Sequence, residues 1–164
     1  MIEHKVGNLI KSVKTGHIAH GCNAKGVMGG GFAKFIRDEY PEVFTVYREH
    51  YMKHSLHLGD TIPVPVIREG INIVVWNCIT QLEFGNDGKL YTNYNAVAEC
   101  ARKVNETASQ YMVKNVVNFP LIGSGLGGAH WPAVEKILDE ELSAFDSRVL
   151  WTLTENDYIN AKRG

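Results

Sequence analysis

The sequence is poor in cysteine, and its three thiols follow no recognisable pattern. Cys22, Cys78 and Cys100 form neither a C-x-x-C pair nor a set with metal-ligand spacing. Structural zinc is therefore not expected, and each thiol is interpreted as a small buried hydrophobe, because no thiolate-activating pattern surrounds it. Since the chain also has no signal peptide, unpaired thiols favour a reducing compartment, and we expect a cytoplasmic protein.

An excess of charge and a long apolar run are also absent. The formal net charge is −1 and the pI is about 6.6, so the chain has no general attraction to nucleic acid. No apolar run is long enough to cross a bilayer, and we expect no membrane partner. A length of 164 residues with 45% apolar residues is typical of one compact domain. We expect a single domain and a monomer.

What the chain does contain is an alternation of strand-like and helix-like segments, which predicts an α/β fold. Strands are expected at residues 3–6, 17–20, 61–67, 71–79, 115–120 and 148–153, and helices from residue 31 and at 41–54, 94–111 and 131–145. The segment INIVVWNCI at 71–79 is almost continuously apolar. This is typical of a central strand that is covered on both faces. The polar segment from residue 154 to 164 is expected to form a frayed tail.

Two glycine-rich segments lie between a predicted strand and a predicted helix. In HGCNAKGVMGGGFAKFI, residues 20–36, Asn23 stands between the strand and three consecutive glycines, and IGSGLGG at 122–128 is the second segment. Glycine lets a ligand approach the backbone closely, and a helix N-terminus favours negative charge. Either loop alone is explained equally well by a tight turn. Together they predict a pocket for a ligand that carries two phosphates.

Two common phosphate-binding motifs fit less well. Gly123, Gly125 and Gly128 match the G-x-G-x-x-G spacing of dinucleotide-binding folds. Those folds continue with an acidic ribose ligand and several more βα units, whereas one predicted strand and a short tail remain here. A Walker loop is not present either, because Gly31 is followed by Phe32 rather than by lysine.

The combination of these segments resembles the macro domain, a family that binds ADP-ribose, over nearly the whole chain. The motifs that carry the resemblance are Gly7-Asn8-Leu9, His20-x-Cys22-Asn23, the segment 28–33, Tyr40-Pro41 and a G-x-G-x-x-G-x-x-W pattern ending at Trp131. The chain is most similar to the branch of ADP-ribose 1''-phosphate phosphatases, terminal ADP-ribosyl-protein hydrolases and antitoxins that remove ADP-ribose from DNA. The resemblance implies a three-layer α/β/α fold with a mixed central sheet.

The resemblance also implies a set of ligand-binding residues. Asn8 and Leu9 would meet the adenine edge, where many macro domains carry Asp and an Asn carbonyl accepts without charge assistance. Asn23 would bind the distal ribose, and Trp151 would either stack near the adenine or serve as a core aromatic residue. The full implied set is Gly7, Asn8, Leu9, Gly21, Cys22, Asn23, Met28, Gly29, Gly30, Gly31, Phe32, Ala33, Ile122, Gly123, Ser124, Gly125, Leu126, Gly127, Gly128 and Trp151.

His20 and Lys89 are the catalytic residues that the resemblance implies. A histidine titrates near neutral pH, so His20 would protonate a departing oxygen or activate water, unless it is a satisfied histidine inside the sheet. Lys89 resembles a lysine that de-ADP-ribosylating relatives use near the anomeric carbon, or it is simply an exposed lysine. Protein-hydrolysing relatives carry Asp where Gly127 stands, which argues against their acyl-ester mechanism, and Asp87 is an alternative carboxylate.

The predicted reaction needs neither a metal nor a cofactor. The cluster of His50, His54 and His57 lacks the H-E-x-x-H arrangement and a third ligand, so a solvated helix end explains these histidines better. We expect the protein to hydrolyse ADP-ribose 1''-phosphate to ADP-ribose and phosphate. The alternatives are removal of ADP-ribose from DNA or protein, and a non-catalytic ADP-ribose reader.

Overall fold

The computed structural model describes residues 1–163, which form six strands, six α-helices and a 3-10 turn at Ala108–Gln110. The strands are β1 (Glu3–Val6), β2 (Thr15–Asn23), β3 (Thr61–Arg68), β4 (Ile71–Gln81), β5 (Val116–Phe119) and β6 (Ser147–Thr152). The helices are α1 (Leu9–Ser12), α2 (Gly31–Glu39), α3 (Pro41–His54), α4 (Tyr94–Thr107), α5 (Trp131–Glu141) and α6 (Glu155–Arg163). No helix in this part of the chain combines the length and the apolar character that crossing a bilayer requires.

The six strands form one mixed sheet in the order β1-β6-β5-β2-β4-β3, which confirms the predicted α/β architecture. Only β3 is antiparallel to its neighbour, β4. The apolar segment predicted to be central is β4, where every residue from Ile73 to Thr80 is buried. It lies one strand from the edge of the sheet, because the β3 hairpin strand covers its outer side.

Helices cover both faces of the sheet and enclose two separate cores. On one face, α4 and α5 pack over a cluster that includes Trp76, Phe119 and Trp131. On the other face, α1, α2 and α3 bury a cluster around Tyr40 and Tyr47. A parallel sheet with both faces covered in this way presents the carboxyl ends of its strands at one edge, where ligands of α/β proteins commonly bind.

The carboxyl-terminal segment is a helix, so the expectation of a frayed tail from residue 154 was wrong. Thr154 and Asp157 cap the start of α6 reciprocally: the Asp157 amide donates to Thr154 Oγ1 at 3.1 Å, and the Thr154 amide donates to Asp157 Oδ2 at 3.3 Å. Tyr158 stacks on His4 with 3.7 Å between the ring centroids. These contacts attach α6 to the domain although it has no buried residue.

Candidate functional site

A cavity of about 1160 Å³ opens across the carboxyl ends of β2, β4, β5 and β6. Parallel strands end at the same edge of the sheet, so the loops that follow them meet there. The lining comes from both glycine-rich segments, the loop after β4, the end of β6 and one side of α6. The residues that line it are Gly21, Cys22, Asn23, Val27, Met28, Gly29, Gly30, Gly31, Phe32, Ala33, Gln81, Phe84, Gly85, Asn86, Pro120, Leu121, Ile122, Gly123, Ser124, Gly125, Leu126, Gly127, Ala129, His130, Trp131, Trp151, Thr152, Leu153, Asp157, Asn160 and Ala161.

Asn23 organises the first glycine-rich loop from within. Its Oδ1 accepts from the Lys25 amide at 2.9 Å, and its Nδ2 donates to the Val27 carbonyl at 3.0 Å. The Tyr47 hydroxyl donates to the main-chain carbonyl of Asn23 at 2.6 Å and lies 3.1 Å from Oδ1. One N–H of the Asn23 amide is left for a ligand. Asn23 is thus a structural residue of the loop as well as a lining residue of the cavity.

The same loop ends at the N-terminus of α2, which faces the cavity. Gly30 is the N-cap residue and supplies no side-chain hydrogen bond to the first turn. Gly31, Phe32 and Ala33 line the cavity. The first N–H groups of a helix have no intrahelical acceptor, and together with the helix dipole they favour an anion.

Two carbonyl groups of the second glycine-rich loop are engaged by the segment that follows β4. The Gly127 carbonyl accepts from the Tyr91 and Thr92 amides at 2.8 and 3.1 Å, and the Gly123 carbonyl accepts from Thr92 Oγ1 at 3.0 Å. Within residues 1–163, the N–H groups of Gly125, Leu126 and Gly127 have no acceptor. The loop therefore offers a second group of donors that suits a phosphate.

The geometry of this loop explains why Gly127 carries no side chain. A Cβ at position 127 would overlap Thr92 Oγ1 and lie 2.6 Å from the Gly123 carbonyl oxygen. An aspartate cannot occupy the position without moving the Thr92 segment that holds the loop. Gly123 is similarly constrained, with a φ of +74° and Thr92 Oγ1 2.7 Å from a built Cβ.

His20 lies beneath the cavity and does not line it. The side chain is 1% exposed, and its Nε2 is 2.6 Å from Asn77 Oδ1. The Asn77 amide nitrogen donates to the Ile62 carbonyl at 3.3 Å, so the Asn77 oxygen faces the imidazole and His20 Nε2 carries the proton. Burial lowers the pKa of His20 to about 4, and the hydrogen bond to Asn77 opposes this shift only in part. His20 is therefore neutral at physiological pH, and direct proton transfer to a ligand stays a prediction that this geometry does not favour.

Lys89 does not line the cavity either. Its side chain is 77% exposed, and its ammonium nitrogen lies 3.6 Å from Asp87 Oδ2. Asp87 also accepts from the Tyr91 hydroxyl at 2.8 Å, and this hydrogen bond, followed by that from the Lys89 amide, lowers the pKa of Asp87. The loop that carries both residues reaches the cavity through Phe84, Gly85 and Asn86 instead.

The first predicted turn does not line the cavity but lies behind one of its walls, since a Cβ at Gly7 would be 3.2 Å from the Trp151 ring. Its contact with the ligand stays a prediction. Asn8 is the N-cap of α1, where its Oδ1 accepts from the Lys11 amide at 3.2 Å, and neither Gly7 nor Leu9 lines the cavity. Gly128 is also outside the lining, beside the Lys89 backbone. Trp151 does line the cavity, and its Nε1 donates to Asn118 Oδ1 at 2.9 Å. The ring packs against the core and forms part of a wall of the cavity, and its stacking near the adenine stays a prediction.

The cavity contains residues that sequence reasoning missed. Gln81 is the last residue of β4, the segment 84–86 follows that strand, and Leu153 follows β6. Strand ends at the same edge of the sheet were therefore the available signal. Asp157 and Asn160 belong to α6, and the Thr-x-x-Asp spacing that begins at residue 154 was the signal for that helix.

The thiol nearest to the cavity has no sign of activation. Cys22 lines the cavity but is buried, and burial raises the pKa of its thiol far above the ordinary range. Cys78 and Cys100 are buried as well, and all three thiols are free. Within residues 1–163, no three His, Cys, Asp or Glu side chains come together as a metal site.

These features define a class of protein: an α/β/α domain with a cleft at the carboxyl ends of a mixed sheet, lined by two groups of N–H donors. The family model of the Macro domain matches residues 19–138, and the chain belongs to this family. A relative from Candida albicans named ADP-ribose 1''-phosphate phosphatase is 28% identical over 148 residues, covering 85% of this chain and 93% of the relative.

Solved macro domain structures share the fold over nearly the whole chain. The macrodomain of Mycobacterium tuberculosis DarG has a TM-score of 0.80 at 21% identity, covering 94% of this chain and 99% of that one. Thermosipho africanus DarTG in complex with ADP-ribose has a TM-score of 0.74 at 17% identity, covering 99% of this chain and 46% of that one. At these identities the likeness establishes the fold.

Proposed function

We propose that this macro domain binds ADP-ribose and hydrolyses ADP-ribose 1''-phosphate to ADP-ribose and phosphate. The observation that carries the proposal is one cavity with two groups of N–H donors, at the N-terminus of α2 and at Gly125–Gly127. Two such groups suit the two phosphates of a diphosphate. The choice of reaction is supported by the Candida relative, whose name is that of this phosphatase and which aligns over 93% of its length.

The order of the strands suggests how the ligand lies. The two glycine-rich loops follow β2 and β5, which are neighbours in the middle of the sheet. With the diphosphate over these loops, one end of the ligand extends toward β6 and α6. The other end extends toward Asn23 and the segment 84–86 after β4, where the free N–H of Asn23 would reach the hydroxyls of the distal ribose.

In the proposed reaction, water attacks the 1''-phosphorus. A new P–O bond forms to the water oxygen, the bond between phosphorus and the ester oxygen on C1'' breaks, and a proton from water passes to that oxygen. Negative charge grows on the phosphoryl and leaving oxygens, and fixed N–H donors stabilise it without reorganisation. The imidazole of His20 is held by Asn77 below the cavity. In this reaction His20 therefore positions the end of β2 and the loop that follows it, and does not contact the ligand.

The test combines turnover with binding. Phosphate release from ADP-ribose 1''-phosphate is measured in chelator, and ADP-ribose affinity is measured by calorimetry on the same sample. We expect turnover by the native protein. His20→Gln, which can still donate to Asn77, should retain more of it than His20→Ala. A sample that binds ADP-ribose tightly and releases no phosphate would rule out the phosphatase and leave the binding function standing.

Removal of ADP-ribose from a macromolecule is a second candidate, favoured by one observation. Phe84 and Leu126 line the cavity and are 55% and 52% exposed. An apolar mouth suits a leaving group larger than phosphate. ADP-ribosylated single-stranded DNA and ADP-ribosylated protein should then be cleaved faster than the phosphate ester, and DNA cleavage should weaken with added salt. A protein that binds ADP-ribose and cleaves none of the three is a reader.

A further inference from the structure

We propose that Lys25 on the first glycine-rich loop binds the terminal phosphate of ADP-ribose 1''-phosphate, and that it leaves its ion-pair partner, Glu83, to do so. This role rests on the proposed phosphatase function and deepens it, because it names a residue that distinguishes the substrate from its product, ADP-ribose. Lys25 Nζ lies 3.0 Å from Glu83 Oε1, and the two side chains are 47% and 64% exposed. The lysine is therefore held by a partner that a ligand can displace.

The cavity has no cation of its own for a terminal phosphate. Within residues 1–163, no lysine or arginine lines it, and its titratable lining side chains are Cys22, His130 and Asp157. A phosphate monoester carries about −1.5 to −2 charges at pH 7. In the proposed binding mode, the N–H donors of the glycine-rich loops serve the diphosphate, and the free N–H of Asn23 serves the ribose. A monoester beyond that ribose therefore needs a cation from the rim of the cavity.

Lys25 and Lys89 are lysines of the two loops that meet at this end of the cavity. Lys25 stands between Asn23 and Val27, and both of these residues line the cavity. Lys89 has no such neighbours, because the residues directly before and after it are outside the lining. Lys25 is therefore the lysine that the loop holds next to the distal ribose.

The two members of the ion pair lie on turns that lining side chains stabilise. Asn23 Oδ1 accepts from the Lys25 amide at 2.9 Å, and Gln81 Nε2 donates to the Glu83 carbonyl at 2.8 Å. The Ala24 amide donates to the Gln81 carbonyl at 2.9 Å and joins the two loops at their base. Asn23 and Gln81 both line the cavity. The ion pair therefore connects the two loops beside the end of the cavity where Asn23 meets the ribose.

An exchange of partners favours the substrate over the product. An ion pair between exposed side chains contributes little to stability, so little is lost when Lys25 leaves Glu83. The monoester carries more charge than one carboxylate and offers three acceptor oxygens to the three donors of the ammonium group. ADP-ribose lacks this phosphate, so after hydrolysis Lys25 returns to Glu83 and adds nothing to the affinity for the product.

The experiment measures substrate and product in one assay. Steady-state phosphate release gives KM and kcat for ADP-ribose 1''-phosphate, and ADP-ribose added as a competitive inhibitor gives its inhibition constant. Lys25→Gln should raise KM by about three- to tenfold with little change in kcat, because the ion pair is present in the ground state and the transition state alike. The inhibition constant of ADP-ribose should stay within about twofold of the native value. The rise in KM should shrink at high salt, since the lysine is exposed.

A double variant separates contact with the phosphate from neutralisation of Glu83. Glu83→Gln frees Lys25 and removes a like charge near the phosphate, so it should lower KM. Adding Lys25→Gln to that variant should raise KM again by at least about threefold, because a direct contact is then lost. Equal KM values for Glu83→Gln and for the double variant would show that Lys25 only screens Glu83, and would overturn the proposal.

Lys34→Gln is the matched control for charge. It removes one positive charge from an exposed residue of α2 that does not line the cavity. The ratio of KM to the inhibition constant of ADP-ribose should stay at its native value. An equal rise of this ratio in Lys34→Gln and in Lys25→Gln would assign the effect to the overall charge of the domain and would overturn the proposal.

The remaining outcomes distinguish the role of Lys25 from the proposed reaction. A native KM in Lys25→Gln, or a KM that rises together with the inhibition constant, would overturn the role of Lys25 alone. A native protein that binds ADP-ribose and releases no phosphate would contradict the reaction. Calorimetry with both intact ligands then tests Lys25 directly, and Lys25→Gln must weaken only ADP-ribose 1''-phosphate. A protein that binds neither ligand would overturn both proposals.

Discussion

A methyl group at Gly125 tests whether the second glycine-rich loop contacts phosphate. A Cβ built there meets no atom within 4 Å, and the backbone is outside the left-handed region. Because alanine also restricts the unfolded chain, Gly125→Ala should leave the free energy of unfolding unchanged or raise it by up to about 1 kcal/mol. The substitution therefore perturbs the space of a ligand and not the folded domain.

The effect on binding follows from two distances. An N–H donor and a phosphate oxygen lie about 2.9 Å apart, whereas a methyl carbon needs about 3.5 to 4 Å. The phosphate must then retreat, which costs one charged hydrogen bond of about 1.5 to 3 kcal/mol. Affinity for ADP-ribose should fall roughly tenfold to a hundredfold. Calorimetry measures the affinity, and urea unfolding measures the stability of the same sample.

Gly127→Ala is the matched comparison in the same loop. Here a Cβ would overlap Thr92 Oγ1 and crowd the Gly123 carbonyl oxygen, so the free energy of unfolding should fall by about 1 to 3 kcal/mol. Native affinity in a stable Gly125→Ala protein would refute the claim that this loop binds phosphate. A large loss of stability in Gly125→Ala would refute the geometry that leaves its Cβ in open space.

Two further predictions concern residues beneath the cleft. Tyr47→Phe removes the hydroxyl that donates to the main-chain carbonyl of Asn23 at 2.6 Å. Because this hydrogen bond holds the first glycine-rich loop, the variant should bind ADP-ribose measurably more weakly, and its free energy of unfolding should be lower by about 1 kcal/mol. For His20, the folded-state pKa of about 4 lies below the usual 6.5, so the unfolded chain binds the proton first and stability is lost as the pH falls from about 6.5 to 4. Between about pH 7 and pH 5 this histidine should lower the free energy of unfolding, measured with urea, by about 2 kcal/mol. His20→Gln should remove that part of the pH dependence. An unchanged pH profile in the variant would contradict the burial of His20.

The six strands and the two glycine-rich loops could be predicted from the sequence. The continuous apolar pattern of β4 reflects helices packed against both faces of the sheet, and this signal is strong because many residues contribute to it. The glycine-rich loops were found for a similar reason: at Gly123 the backbone has a positive φ and no space for a side chain. Such positions are readable because only one residue type is tolerated.

The sequence could not provide the contacts of residues whose partners lie far away in the chain. His20 lies in a motif that suggested direct catalysis, and the fold buries its side chain beside Asn77, 57 positions later. Asn8 was assigned to the ligand, and its side chain also caps the short helix α1; the roles of both residues toward the ligand stay predictions. The segment after residue 154 looked unstructured because it is polar, and the residues that anchor it, His4 and Glu135, lie on other elements.

The distribution of the tryptophans gives the domain an optical property of its own. Of the three indoles, Trp76 is 1% exposed and lies outside the cavity lining, whereas Trp131 and Trp151 both line the cavity and Trp151 is the more exposed of the two. Trp76 therefore provides a nearly constant background, and the other two indoles can respond to what enters the cleft. Intrinsic emission can follow occupancy in real time without a label, and Trp151→Phe should remove most of the response while the background remains.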